Sequence, residues 1–345
     1  MSPRLETLKK SGPFRLGLGM VLALVVFSVV APWLSPHDAT TSEFERAVGP
    51  DGPVGPCLAF PLGADRLYRD VLVRLAIGGR ISLGIGVAAT AIATVLGTVV
   101  GVVSGYFEGS RGARIPYGVA VVALGFSATF VYGPEGFSRL MSSHHGLPLV
   151  LGLTALAALV YGLRGRPGFD VGLDTVLMRV VDVGLAFPFL LLVLAIGSVF
   201  ERTSATTILL TLGLSGWLGI ARVVRAKTIA VKGQEFVHAA RALGQSTPRI
   251  LALHILPNVS GPVVVLSTLS VAQMIVAESA LGFLGVGISP PTPTWGYMLF
   301  EGQDVLQHAP WLVAAPFATI LLAVLGFNVL GEGLREALDP RKAKR

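Results

Sequence analysis

Long oily runs alternate with polar stretches along the chain. Runs at about 16–34, 82–105, 115–132, 147–163, 176–199, 205–222, 261–284 and 310–331 come close to or reach the roughly 20 apolar residues that a bilayer-crossing helix needs. Each is read as a membrane span, so the pattern predicts an all-α, polytopic membrane helix bundle. Polar segments lie at about 35–80, at about 285–309, and around the stretch EFVHAARALGQSTPRILALHILPN, Glu235 to Asn258. The first run follows Arg4, Lys9, Lys10 and Arg15, the outline of a signal peptide. No small-x-small cleavage site follows it, and Pro32 and Trp33 stand where cleavage would occur, so a retained first helix is expected.

Two local patterns carry more information. In the second run Ala89, Ala93, Gly97, Gly101 and Gly105 recur every fourth position. They share one helix face and predict close approach of another helix. In the stretch from Glu235, the residues Phe236, Ala239, Ala240 and Leu243 recur at helical spacing, with Glu235 and Arg241 on other faces. Gly244 is a natural C-terminal stop. Thr247 is placed to cap a second helix with Pro248 in its first turn, and Pro257 to end that helix before the next span. From the residues alone two uses stay open. The small Ala239–Ala240 surface suits insertion into a partner's groove, and Lys227, Lys232 and Arg249 suit a helix lying on the lipid surface.

Composition agrees with the oily runs. The chain is 52% hydrophobic and 14% charged, with mean hydropathy +0.71, whereas soluble domains carry about 25% charged residues. The net charge of +7 reflects membrane orientation rather than nucleic-acid binding, because the basic residues flank the spans. With the N-terminus cytoplasmic, only Arg46, Arg66, Arg69, Arg74, Arg80, Arg139 and Arg202 fall outside; every other basic residue, including every lysine, falls inside. Both termini and the stretch from Glu235 are then cytoplasmic and Cys57, a lone cysteine, is outside.

Candidate chemistry is sparse. No GxxxxGK phosphate loop, HExxH, CxxC or GxSxG occurs, so the chain is not expected to hydrolyse ATP, to bind a metal or to act as an intramembrane enzyme. His144 and His145 are read as a loop. Glu278 lies within a span, where a charge costs roughly 2.5–3.5 kcal/mol, so it must face protein or water. It either lines a substrate path, with Gln273 loosely on the same face, or makes a hydrogen-bonded packing contact. Asp182 is three residues from Arg179, a local pair, and Pro188 is placed to kink its span. No internal repeat marks a secondary transporter.

The stretch from Glu235 resembles the EAA loop of ABC importer permeases, in its Ala239-Ala240 pair, Gly244 and the ending Ile255-Leu256-Pro257. His238 stands where that family has an acidic residue. FPLGADRLYRDVLVRLAIGGRISL from Phe60, MRVVDVGLAFPFLLL from Met178, PPTPTWGYML from Pro290 and GEGLREALDPR from Gly331 are similar to the dipeptide/oligopeptide/nickel permease group over about 16–109 and 172–341. The resemblance implies the type I ABC importer permease fold. Its layout would be a cytoplasmic N-terminus (1–15), a first span (16–34), an external segment (35–80), a transmembrane domain (81–333) with a cytoplasmic coupling loop (223–259), and a cytoplasmic C-terminus (334–345). It implies import of di- or oligopeptides, with nickel or another small solute as the alternative and a secondary transporter behind that. It implies as partners a paralogous permease, two ATPase subunits holding ATP-Mg, an extracytoplasmic substrate-binding protein and the bilayer, with no cofactor in this chain. ATPase coupling would fall to Glu235, Phe236, Ala239, Ala240, Arg241, Leu243 and Gly244. Residues 110–171 depart from the family; parity of the following spans predicts that they add a transmembrane hairpin.

Overall fold

In the computed structural model, residues 11–42, 53–109, 113–116, 168–197 and 204–338 are described. They form α1 (Gly12–Leu34), α2 (Val71–Phe107), β1 (Ala113–Pro116), β2 (Gly168–Val171), α3 (Leu173–Ala186), α4 (Phe189–Gly197), α5 (Ala205–Ser215), α6 (Trp217–Lys232), α7 (Glu235–Ala242), α8 (Thr247–Ile250), a π-helical turn (Leu251–Ile255), α9 (Leu256–Phe283), α10 (Trp295–Gln303) and α11 (Trp311–Leu338). Among the described residues five helical stretches are long and apolar enough to cross a membrane, namely α1, α2, α5 with α6, α8 through α9, and α11. The pair α3 and α4, bent by 94° around Pro188, would make a sixth. Pro188 therefore breaks its span outright, as a residue that removes a helical N–H and crowds the preceding turn can do.

The chain divides into two units, Met1–Tyr106 with Val180–Arg345, and Phe107–Arg179. In the second unit, β1 and β2 pair antiparallel from Ala113↔Val171 to Pro116↔Gly168, so the two ends of the segment unlike the family meet in a ribbon. The spans expected at 115–132 and 147–163, and His144 and His145, lie outside the described residues.

The larger unit corrects several expected boundaries. The second span begins at Val71, not near 82, because Arg74 and Arg80, which read as loop residues, lie in the helix and are paired with groups on other elements. Arg80 donates from Nε to Ser28 O at 2.8 Å and from Nη2 to Val29 O at 3.0 Å. Pro32 has no N–H to give Ser28 O, its helical partner, and Arg80 supplies the missing donor. The last helix runs on to Leu338 instead of stopping near 331, and the polar segment 285–309 contains α10. Pro257 does not end a helix either: Thr247 to Phe283 is one helical stretch. The turn Leu251–Ile255 widens to i→i+5 bonding, Leu256 N–H reaching Leu251 O, which makes room for a ring that would otherwise press on the turn before it.

The small-residue stripe packs as expected. A Cβ at Gly97 would lie 2.8 Å from Trp217 O, at Gly101 2.6 Å from Ala221 O, and at Gly105 2.7 Å from Arg225 O. Only glycine lets α2 lie this close to the backbone of α6.

The motif PPTPTWGYML fastens α10 to α2 and α9. Thr294 caps α10, its Oγ1 accepting from Tyr297 N at 3.2 Å. Trp295, fully buried, donates from Nε1 to Leu75 O at 2.9 Å. Gly296 is required because a Cβ there would lie 2.3 Å from Ser279 O. At the far end of α10, Glu301 binds Arg69 Nη2 at 2.7 Å and also Arg74, whose side chain is 1% exposed. Asp65 accepts from Arg69 Nε at 2.7 Å and lies 3.4 Å from Arg74 Nε. Burial pushes the Arg69 guanidinium down, but the Glu301 hydrogen bond and the charges of Asp65 and Glu301 outweigh it and hold it above its ordinary value.

Candidate functional site

The stretch from Glu235 folds as helix, glycine turn and helix. α7 ends in a Schellman motif, with Gly244 N–H donating to Arg241 O at 2.9 Å and Gln245 N–H to Ala240 O at 3.1 Å. Gly244 sits at φ +73°, and a Cβ there would meet nothing within 4 Å. Its requirement is therefore conformational, not spatial. Ser246, not Thr247, occupies the cap of α8, and Thr247 and Pro248 are the first helical residues; helix ends commonly differ by one residue from a sequence reading. Behind the turn, His254 Nε2 lies 3.1 Å from Gln245 Oε1, and its ring is 6.2 Å from that of Phe236. This brace joins α7 to the π turn.

α7 has two faces. Val237 and Ala240 point inward, Val237 completely buried and Ala240 4% exposed. Arg241 lies over the Tyr106 ring, 4.9 Å from its centroid, a cation–π contact that holds α7 to α2. Glu235, Phe236, His238, Ala239, Leu243 and Gly244 are exposed. The expected Ala239–Ala240 surface is thus divided. Neighbouring helix positions point about 100° apart, so once α7 packs on its own chain one alanine must turn inward. The outward apolar tip is instead made by Phe236 and Leu243, the latter 80% exposed, because Gly244 stops the helix just past it.

Replacing Gly244 with Val should cost about 1–3 kcal/mol locally, since a β-branched residue resists positive φ. Hydrogen exchange at Gly244 and Gln245 should accelerate about tenfold or more in Gly244→Val, and much less in Gly244→Asn, which tolerates that conformation. Equal exchange in both variants would remove the conformational argument.

A second candidate lies along α4, α9 and α11. A cavity of about 670 Å³ opens there, lined by Phe189, Leu269, Gln273, Val276, Val324 and Asn328 among others. Gln273 and Phe189 also border a smaller space of about 200 Å³ beside Gly216 and Leu218. Glu278 is not part of either. It is 2% exposed and turned toward α2 and α10, where Ser82 and Thr294 hydrogen-bond its carboxyl and Ser279 Oγ donates at 3.4 Å. Ser82 Oγ in turn accepts from Trp295 N at 3.4 Å. The carboxyl therefore faces the N-terminal end of α10 through two hydroxyls, a favourable place for negative charge. Of the two readings of Glu278, the packing contact is the one these neighbours support, and Gln273 and Glu278 occupy opposite faces. Asn328 was missed from sequence, although an amide inside an oily run, LGFNVL, was a usable signal. Asp182 Oδ1 accepts from Arg222 of α6 at 2.6 Å, a partner 40 positions away.

The pattern of known proteins agrees with this architecture. Residues 168–344 match the family described as binding-protein-dependent transport system inner membrane component. The chain is 30% identical to the oligopeptide transport system permease protein OppC of Bacillus subtilis, over 95% of this chain and 85% of that protein. It is 31% identical to the di/tripeptide transport system permease protein DppC of Pseudomonas aeruginosa, over 94% and 87%. With the oligopeptide permease OppC of Escherichia coli the identity is 34%, over 93% and 85%. A family match across half the chain, relatives matched over 85–87% of their length, and apolar helices enough for a multi-pass bundle lead to one conclusion: the chain belongs to the binding-protein-dependent transport system inner membrane components.

Proposed function

We propose that this chain is the permease subunit of an ATP-driven importer of di- and oligopeptides, supplying half of a translocation path and the coupling surface for a separate ATPase. The relatives' names favour peptides over nickel. The partners in this reading are a paralogous permease, two ATPase subunits that hold ATP-Mg, and an extracytoplasmic substrate-binding protein. Both termini and α7 face the cytoplasm and the exposed Cys57 faces outside, in keeping with the distribution of lysine. The order of segments carries over from the sequence, with the domain read at 81–333 now opening at Val71 and closing at Leu338, an inserted segment at 110–171 and a coupling loop at 223–259.

The observation that carries the coupling role is the two-faced α7. Its inner face is fixed through Val237, Ala240 and Arg241, and its outer face presents Phe236 and Leu243. A lever needs this arrangement, since a force on the tip reaches α2 and α9 only if the root is held. Glu235, Ala239 and Gly244 share the exposed side, while Ala240 and Arg241 act as positioning residues. Leu243→Asp places a charge in a desolvated contact, and should weaken co-purification of the ATPase by about tenfold or more while membrane insertion and folding persist. If α7 instead lies on lipid, ATPase association is unchanged and the tip detaches from the membrane; that outcome would defeat the coupling assignment.

A further inference from the structure

We propose that Gln273 and Asn328 form a charge-free amide pair that hydrogen-bonds the backbone of the peptide in transit, so that this wall of the path reads peptide bonds and ignores side-chain charge. The proposal rests on the permease reading and deepens it. Both side chains line the same cavity of about 670 Å³, within the range of about 300–1,000 Å³ seen for small-ligand sites. They lie on adjacent antiparallel helices at a shared depth. Leu269 of α9 packs on Gly331 of α11, which places positions 273 and 328 one turn further on from that contact. Both residues are exposed in the chain, and neither side-chain amide has a hydrogen-bond partner among the described residues.

Bare amides facing hydrocarbon are unfavourable, so this face must meet water, protein or substrate. The cavity is open beside α9 and α11 in this chain, and the permease reading gives this chain half of a translocation path, so the occupant proposed is the substrate. The chemistry then narrows the occupant. A carboxamide offers both a donor and an acceptor, the complement of a peptide unit. The remaining walls are apolar, from Phe189, Leu269, Val276 and Val324. The one carboxylate of α9, Glu278, is turned away and satisfied by hydroxyls. A path built this way holds an extended peptide of any side-chain charge without binding one charge class too tightly to release.

The test uses the complete importer with its ATPases and binding protein in proteoliposomes. Uptake of a tripeptide and of its analogue N-methylated at both amides is measured for wild type and for Gln273→Leu with Asn328→Leu, each variant rate divided by the wild-type rate for the same peptide. Capture by the binding protein then cancels. The double variant should lose about tenfold for the tripeptide, on the scale of two ordinary hydrogen bonds, and no more than about twofold for the methylated analogue. Gln273→Glu should raise uptake of lysine-containing peptides relative to glutamate-containing ones by about tenfold. An equal loss for both tripeptides, unchanged uptake of both, or loss of permease pairing on co-purification would each overturn the amide pair. Wild type that imports no peptide at all would overturn the permease reading instead.

Discussion

Arg74→Leu is expected to remove about 3–5 kcal/mol of stability, measured by denaturant unfolding of the detergent-purified protein. That is the scale for removing one partner of a buried ionic group. Arg74 is 1% exposed and bridges Asp65 and Glu301, and its Nη1 also donates to Ala39 O at 3.4 Å. Without it two carboxylates share the single guanidinium of Arg69, and the segment after α1 loses a tether. A second tether, His37 Nδ1 with Ser35 Oγ on Asp70 Oδ2, each at 2.8 Å, would remain. The contrasting variant is Arg66→Ala. The Arg66–Asp304 pair is 3.4 Å long and both side chains are about half exposed or more, at 49% and 65%, so its loss should cost no more than about 1 kcal/mol. Similar unfolding of the two variants would show that the Asp65–Arg69–Arg74–Glu301 cluster contributes nothing beyond surface pairing.

Gly101→Leu should be as damaging by a different route. The first added carbon already lies 2.6 Å from Ala221 O and 3.0 Å from Arg225 N. These are backbone atoms of α6 and cannot rotate aside, so α2 and α6 must separate. Overpacking costs about 1–3 kcal/mol in cores that can adjust, and this seam cannot. The same separation draws Tyr106 away from Arg241 and releases the root of α7. Purified Gly101→Leu should therefore melt at a lower temperature and retain less ATPase, whereas Gly84→Leu, where a Cβ meets nothing within 4 Å, should match wild type in both. Normal melting of Gly101→Leu would mean that α2 does not need glycine there.

These expectations mark what a sequence can say. The small-residue stripe, recurring every fourth position, and the turn at Gly244 were legible because each depends on a period or on one residue's conformational range. The span starting at Val71 was not, since Arg74 and Arg80 advertise a loop until their partners, Glu301 and Ser28 O, are seen across more than 200 and about 50 positions. Glu278 was recognised as a residue needing company, but Ser82 and Thr294 come from other elements. Ala239 and Ala240 were recognised as small, yet which of them faces outward is decided by Tyr106 and α2. Local patterns name the element; the orientation of a short helix is set by whatever it rests on.

The widened turn at Leu251–Ile255 has a consequence for numbering as well as for shape. Each residue of a helix advances about 100° around the axis, so a turn holding one residue more than its neighbours sets the rotational phase of everything beyond it. α9 is dialled, by that single extra residue, to present Gln273 to the cavity and Glu278 to the hydroxyls of Ser82 and Thr294. In a strictly regular helix the sequence from Leu256 onward would be turned by roughly a quarter revolution relative to the brace at Gln245 and His254. The wide turn is the index mark that keeps the loop and the path in register, and its length is as much part of the path's chemistry as the amides that line it.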